Sequence, residues 1–437
     1  MAKKPDEDSE HAFKPGPTVP STKPRLFGIL GPGLITGASD DDPSGIGTYS
    51  QTGAAFGYSM SWMMLFTYPL MSAVQIASAR LGRSTGHGIA GNLARHYPNW
   101  LLQSLVALLL IANTLNIGAD LGAMADATRL LLGGWYFAYV VGFGLFAAAL
   151  QIFVSYKRYV LALKWLTMAL FAYVAALLFA GVDWGSALRG MLIPTIRFDT
   201  SFLTTVVAVL GTTISPYLFF WQASEEAEDI KAHSGRHALR PHPEEGPAAI
   251  ERIKWDTLVG MAFSNAIAVA IILTTAATLN QQGITDIQTS ADAAEALRPI
   301  AGTAAFVIFA AGIVGTGLLA IPVLAGSAAY ALGEARRWPV GLDRKPRDAR
   351  AFYATILVAT LAGIVMNFVG LNPIKALFWS AVVNGVVSVP VLSVLMLMTA
   401  RHNVMGKWIL GPRLRVLGWI ATGVMGACVA AMLVTLA

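Results

Sequence analysis

Gly31-Pro32-Gly33-Leu34-Ile35-Thr36-Gly37-Ala38-Ser39-Asp40-Asp41-Asp42-Pro43-Ser44-Gly45 runs from small and apolar residues into three consecutive acids, and a second short apolar run continues to Gly57. A helix crossing lipid does not hold three acids in a row, because each is costly near the bilayer centre. Pro43 removes a backbone donor and Gly45 frees the chain, so this stretch predicts a broken helix. Irregular backbone at membrane depth is tolerated only where protein buries it or where it lines a wet cavity. Unwound carbonyls beside a carboxylate make a cation site.

The rest of the chain fits that setting. Of its 437 residues 55% are hydrophobic and only 13% charged, with mean hydropathy +0.58, which places it with polytopic all-α membrane proteins. Eleven apolar spans of roughly 20 residues each are expected, at about Pro24–Gly57 (broken), Ser59–Ala79, Trp100–Asp126, Trp135–Val154, Tyr159–Val182, Phe202–Asp229 (broken), Trp255–Leu279, Ile300–Leu332, Ala351–Val369, Ile374–Thr399 and Leu414–Leu436. Residues 1–23 read as a disordered tail, 24–400 as the core, and 401–437 as a loop with the eleventh helix. The lone Cys428 excludes an intramolecular disulfide or a cysteine-ligated metal site. The net charge of +6 is dispersed in loops, which argues against nucleic acid as a partner.

Basic residues give the orientation. Of 31 lysines and arginines, only Arg129, Arg189, Arg197, Arg298 and Lys375 fall outside if the N-terminus is inside. The loops with Lys157-Arg158, Lys231 to Lys254 and Arg336 to Arg350 lie inside, so N-in, C-out in a cell (inner) membrane is expected. The interior loop from about Ala232 to Ala249 reads as a solvated connector, and the outer loop with Asp286, Asp292 and Glu295 as a solvated acidic one.

A second break follows in the sixth span, at Ser215-Pro216 within Gly211-Thr212-Thr213-Ile214-Ser215-Pro216-Tyr217. Five spans separate the two breaks, an odd number, so the second half, about 202–399, has inverted topology relative to the first, about 24–182. Matching interruptions in inverted halves point to a transporter's midplane site.

The two breaks together resemble the Nramp family of divalent metal-ion transporters. Its first-helix signature Asp-Pro-Gly-Asn stands here as Asp42-Pro43-Ser44-Gly45, and its sixth-helix Met-Pro-His as Ser215-Pro216-Tyr217. Gly31-Pro32-Gly33, Ser78-Ala79-Arg80-Leu81-Gly82, Thr85-Gly86 and Ala119-Asp120-Leu121 match as well, so the resemblance covers about Leu26 to Ala400. It implies a leucine-transporter-type 5+5 inverted repeat with an eleventh transmembrane helix. By motif position, Asp42 is the implied metal-binding aspartate and Thr212 the implied carbonyl ligand. The family's metal-binding Asn is replaced by Gly45 and its Met by Ser215. The acid one turn after the third-helix Asp is replaced by Ala123, and two sixth-helix histidines by Tyr217 and Gln222.

Chemically, Asp42 with the hydroxyls of Ser44 and Ser215 and the Thr212 carbonyl offers hard oxygen ligands, which suit Mg²⁺, Mn²⁺ or Fe²⁺ better than Cd²⁺. Gly45 and Ser215 are also smaller than what they replace, so an enlarged cavity is expected. Asp40 and Asp41 either add charge to the site or cap and pair elsewhere. Gln222, Glu226, Asp229 and His233 form a polar helical stripe; the first two are expected in an inner vestibule, the others at a solvated helix end. Asn113, Asn116 and Asp120 share one face of the third span, turned to the bundle interior, with a basic partner expected for Asp120. Asn265 and Asn384 are either pathway residues or interhelical hydrogen-bonding groups. The expected activity is alternating-access transport of a divalent cation, without tight proton coupling, since no histidine falls near the midplane. The alternatives are a same-fold amino-acid or cation carrier and a proton-coupled Mn²⁺/Fe²⁺ symporter. No enzyme motif, cofactor or obligate protein partner is evident; the metal is cargo.

Overall fold

The structure is a computed structural model that describes residues 36–37, 39–154, 170–232 and 235–436. Gly31-Pro32-Gly33, Lys157-Arg158, His233 and residues 159–169 of the fifth span lie outside the described residues. All secondary structure among the described residues is helical. The principal helices are α1 (Pro43–Phe56), α2 (Trp62–Thr85), α3 (Ile89–His96), α4 (Asn99–Leu132), α5 (Tyr136–Phe153), α6 (Thr200–Thr213), α7 (Pro216–Ala232), α8 (Gly246–Thr278), α9 (Ala305–Arg336), α10 (Arg350–Met366), α11 (Pro373–Thr399) and α12 (Pro412–Leu436).

Eight segments among the described residues are long and apolar enough to cross a membrane: α4, α5, the broken pair α6–α7, and α8 through α12. Helix α2 is long enough but more polar, carrying Ser72, Gln75, Ser78 and Arg83. All four are buried, so protein rather than lipid is their solvent. The outer surface shows the opposite pattern, with Ile111, Phe146, Val358, Val365 and Val434 exposed. Asn113 and Asn116 on α4 are fully buried instead. The Asn113 amide donates to the Leu324 carbonyl and the Ser327 hydroxyl of α9, each at 2.8 Å.

Both predicted breaks are present. Residues 39–40 are helical, 41–42 are not, and α1 starts at Pro43. The sixth span stops at Thr213 and restarts as α7 at Pro216. In each case proline opens the new half-helix, where its missing N–H leaves no bond unmade and its fixed φ suits the first turn. Helix α1 packs on α8, α11, α6 and α4, so the first break sits at the centre of the bundle.

Close helix approach depends on glycine at two crossings. A Cβ on Gly82 of α2 would lie 2.1 Å from the Ala223 carbonyl oxygen of α7, and one on Gly211 of α6 2.0 Å from that of Ala381 on α11.

The interior loop is largely solvated, as expected, and is also anchored to the bundle. Leu239 and Arg240 donate their backbone N–H groups to the carbonyls of Arg83 and Ser84, both at 3.2 Å, satisfying the open C-terminal end of α2. Arg83 pairs with Glu245 at 2.7 Å, and the Trp408 indole donates to the Leu239 carbonyl at 3.0 Å. These tertiary bonds reach residues distant in sequence, which the loop's polar composition does not show. In the outer loop Asp292 forms a capping box with Thr289, and Glu295 pairs with Arg298.

Gly82→Val is expected to lower the melting temperature of the purified protein by several degrees, because overpacking costs about 1–3 kcal/mol. Gly142→Val on α5, where nothing lies within 4 Å, is the matched control and should leave it unchanged. Equal melting of the two variants would remove the α2–α7 contact as a stabilising constraint.

Candidate metal centre

Asp42 is the N-cap of α1. Its Oδ1 accepts from the Gly45 backbone N–H at 2.8 Å and from the Ser44 hydroxyl at 2.6 Å. Its Oδ2 accepts from the Asn116 amide of α4 at 2.8 Å and from the Tyr217 hydroxyl of α7 at 3.3 Å. Tyr217 shares its proton with the Ser39 carbonyl, at 3.1 Å. Four donors therefore occupy the roughly four lone-pair positions of one carboxylate. A cation reaching Asp42 must displace one of them, and the long Tyr217 contact is the least costly to lose.

Asn116 and Tyr217 join both broken spans and α4 at one carboxylate. The sequence placed Asn116 on the interior face without attaching it to Asp42, and Tyr217 only as a substituted histidine. Their link to Asp42 spans 74 and 175 positions, so no local pattern announces it. The helical spacing of Asn116 and Asp120 was the available signal.

Asp120 lies one turn beyond Asn116, is fully buried, and feels the charge of Asp42. The Ser44 backbone N–H lies toward its carboxylate, yet neither carboxylate oxygen has a hydrogen bond of good geometry, and Asn116 Oδ1 has none. The basic partner expected for Asp120 is absent among the described residues. A buried acid without a base is costly, and a cation offsets that cost. Asp42, Asp120 and the Asn116 carbonyl oxygen together form a hard-oxygen set. Asp120 thus moves from pathway residue to candidate ligand.

Ser44 is held by Asp42, as above. Ser215, in the break, turns back onto the end of α6, donating to the Gly211 and Thr212 carbonyls at 2.7 and 2.8 Å. The Thr212 carbonyl is thereby engaged, with one lone pair to spare. A Cβ on Gly45 would lie 3.1 Å from Thr212 Oγ1, 3.2 Å from the Asp40 carbonyl oxygen and 3.4 Å from Tyr49. The space expected to open at Gly45 is filled, and the amide that the family carries on the first helix comes from α4 instead.

Asp40 and Asp41 turn to α8, where the Ser264 hydroxyl lies 2.5 Å from Asp40 Oδ2 and 3.2 Å from Asp41 Oδ1. Their other oxygens, Asp40 Oδ1 and Asp41 Oδ2, have no partner. No three His, Cys, Asp or Glu side chains gather into a metal-sized group among the described residues, so neutral oxygens must complete any coordination shell. Asn384 is fully buried with both polar side-chain atoms unpaired. It shares a face of α11 with Ser388, whose hydroxyl donates to the Ile214 carbonyl in the α6–α7 break at 2.6 Å. Asn265, beside Ser264, keeps a buried unpaired Oδ1. Gln222 accepts from the Thr36 hydroxyl. Glu226 pairs with Arg252 at 2.5 Å and belongs to an ion-pair network with Asp229.

The profile of the family described as natural resistance-associated macrophage protein-like (Nramp) matches residues 33–435. A manganese transporter of Eremococcus coleocola, solved with an aromatic bis-isothiourea compound, superposes with TM-score 0.75 at 16% identity, covering 96% of this chain and 88% of that one. The nucleobase-cation-symport-1 family transporter Mhp1, in a closed conformation with bromovinylhydantoin bound, superposes with TM-score 0.55 at 14% identity, covering 93% and 92%. Both likenesses concern the fold.

Asn116→Leu removes one donor to Asp42 and one unpaired oxygen at nearly constant volume. It is expected to weaken divalent-ion binding roughly tenfold or more, the scale of one lost hydrogen bond to a charged group. Titration calorimetry on the purified protein reads this directly, and unchanged affinity would take Asn116 out of the site.

Proposed function

Since the chain belongs to the Nramp family, matched over residues 33–435, we propose that it is a secondary transporter moving divalent metal cations across a cell membrane by alternating access. The observation that carries the reading is the paired carboxylates of Asp42 and Asp120 at the break of α1, buried and without a base among the described residues. A substrate carboxylate, as in an amino-acid carrier, would be repelled by these two and by the buried Asp40 and Asp41. The E. coleocola protein is a manganese transporter, which supports a metal as cargo here.

The ion is Mn²⁺, Mg²⁺ or Fe²⁺ in this reading. All the side chains that converge on Asp42 offer oxygen, nitrogen-bound hydrogen or hydroxyl, and none offers sulfur. A set of carboxylate, amide and hydroxyl oxygens favours hard cations, and Ser215 in place of a thioether removes the soft preference. The metal is bound through Asp42 and Asp120, with Asn116 Oδ1, the Ser44 and Ser215 hydroxyls and the Thr212 carbonyl as the neutral oxygens. The basic loops support an N-terminus inside and a C-terminus outside.

Transport is not tightly coupled to protons. Tyr217 stands at the contact with Asp42, and a phenol in water ionises only near pH 10. His87, His96, His237, His242 and His402 all lie outside the membrane-crossing helices, leaving no imidazole beside the site among the described residues.

Two measurements test this in liposomes. Asp42→Ala is expected to lower uptake of Mn²⁺ or Mg²⁺ about a hundredfold, the scale of 2.7 kcal/mol in binding, with folded protein retained; wild-type uptake would overturn the site. With a metal gradient and no pH gradient, internal pH should stay constant during wild-type uptake. Acidification in fixed ratio to the metal would instead assign a proton to the cycle.

A further inference from the structure

A hollow of about 520 Å³ lies between α3, the end of α7 and the end of α9 with the turn that follows it. It is lined by His87, Arg95, Lys231, Glu334, Arg337 and Arg344, so four permanent cations from three separate stretches face one space.

One lining carboxylate among the described residues, Glu334, faces these four cations and feels the charges of Lys231 and Arg95. Glu334 accepts from the Gly88 and Gly91 backbone N–H groups at 2.7 and 2.8 Å, capping α3. Nearby Glu228 is likewise committed, to the Tyr330 hydroxyl and the Asp343 backbone. Lys231, Arg337 and Arg344 have no ion pair among the described residues.

Arg95 is held in place rather than neutralised. Its Nη1 donates to the Gly91 carbonyl and its Nη2 to His87 Nε2, both at 2.7 Å. His87 can accept because its Nδ1 donates to the Thr85 carbonyl at 2.8 Å. Burial, and then the neighbouring Arg95 and Lys231 charges, hold the imidazole below its ordinary pKa and keep it neutral. Arg337 is the only described non-glycine residue with positive φ, at 59°. It is the left-handed C-cap of α9, its N–H donating to the Gly333 and Glu334 carbonyls, which is a common way for a helix to end.

We propose that this hollow binds a phosphate-bearing anion, either the headgroup of an acidic lipid or a soluble phosphate. Arginine and lysine complement phosphate oxygens, and basic pockets between transmembrane helices on the inner side recognise anionic headgroups. The occupant ties Lys231, on the half-helix that carries Tyr217, to the end of α9. It therefore restrains α7, one of the elements that meet at Asp42. This holds whichever ion is carried.

The full-length protein in zwitterionic detergent is titrated with short-chain phosphatidylglycerol, with inorganic phosphate and with short-chain phosphatidylcholine. Lys231→Gln/Arg344→Gln is expected to weaken binding of the phosphate-bearing probe about thirtyfold, at the scale of two basic residues near an anionic surface. Arg413→Gln/Arg415→Gln, exposed at the start of α12, should leave it unchanged. Loss confined to phosphatidylglycerol assigns the lipid source, and loss confined to inorganic phosphate assigns the soluble one. The proposal is overturned if neither probe binds, if phosphatidylcholine binds as well as phosphatidylglycerol, or if both double variants weaken binding equally.

Discussion

The Asp42 carboxylate, capping α1 while it accepts from α4 and α7, is the constraint on which the rest depends. A free N-terminus in the middle of a bilayer leaves backbone N–H groups unpaired, with no water to take them. Asp42 satisfies the Gly45 N–H, and its second oxygen draws in Asn116 and Tyr217. An N-cap is typically worth about 1 kcal/mol. This one also joins both interrupted spans to the longest helix. The half-helices can therefore meet at one point and still be rearranged by exchanging a single hydrogen bond for a cation.

The surrounding packing follows from lipid being the outer solvent. Apolar side chains gain nothing by moving inward from lipid, so the interior is organised by small residues and hydrogen bonds. Gly82 and Gly211 let backbones approach, and Asn113 and Ser388 tie helices through carbonyls. Against that background the buried acids stand out. Asp40 and Asp41 share one hydroxyl donor, while Asp120 has none. They stand among other buried groups without partners, the Asn384 amide included.

The end carrying the basic loops is built on the opposite principle. There charges are paired in a network, Arg83 with Glu245 and Arg252 with both Glu226 and Asp229, that fastens the 235–245 segment to α2 and α7 to α8. Removing one partner of such a partly buried pair typically costs about 3–5 kcal/mol. Beside it, four cations share the single Glu334 carboxylate, and Lys231, Arg337 and Arg344 form no ion pair among the described residues. Closed ion pairs hold the segment in place and open ones are available to an anion.

Local chemistry alone determined that this chain is a helical membrane protein with two matched breaks. Span length and apolar composition are properties of contiguous residues, and the Pro43 and Pro216 interruptions are written into their own neighbourhoods. Asp42 was legible for the same reason. The segment after α7 is solvated as its polar composition says, but composition describes the residues themselves and not the α2 carbonyls that receive their N–H groups. Likewise, the filled space at Gly45, the donation of Asn116 and Tyr217 to Asp42, and the unpaired oxygens of Asp120 appear only once the helices are packed. Each joins residues on different helices, and which face of one helix meets which face of another is decided by the sum of all contacts in the bundle, not by any single stretch of sequence.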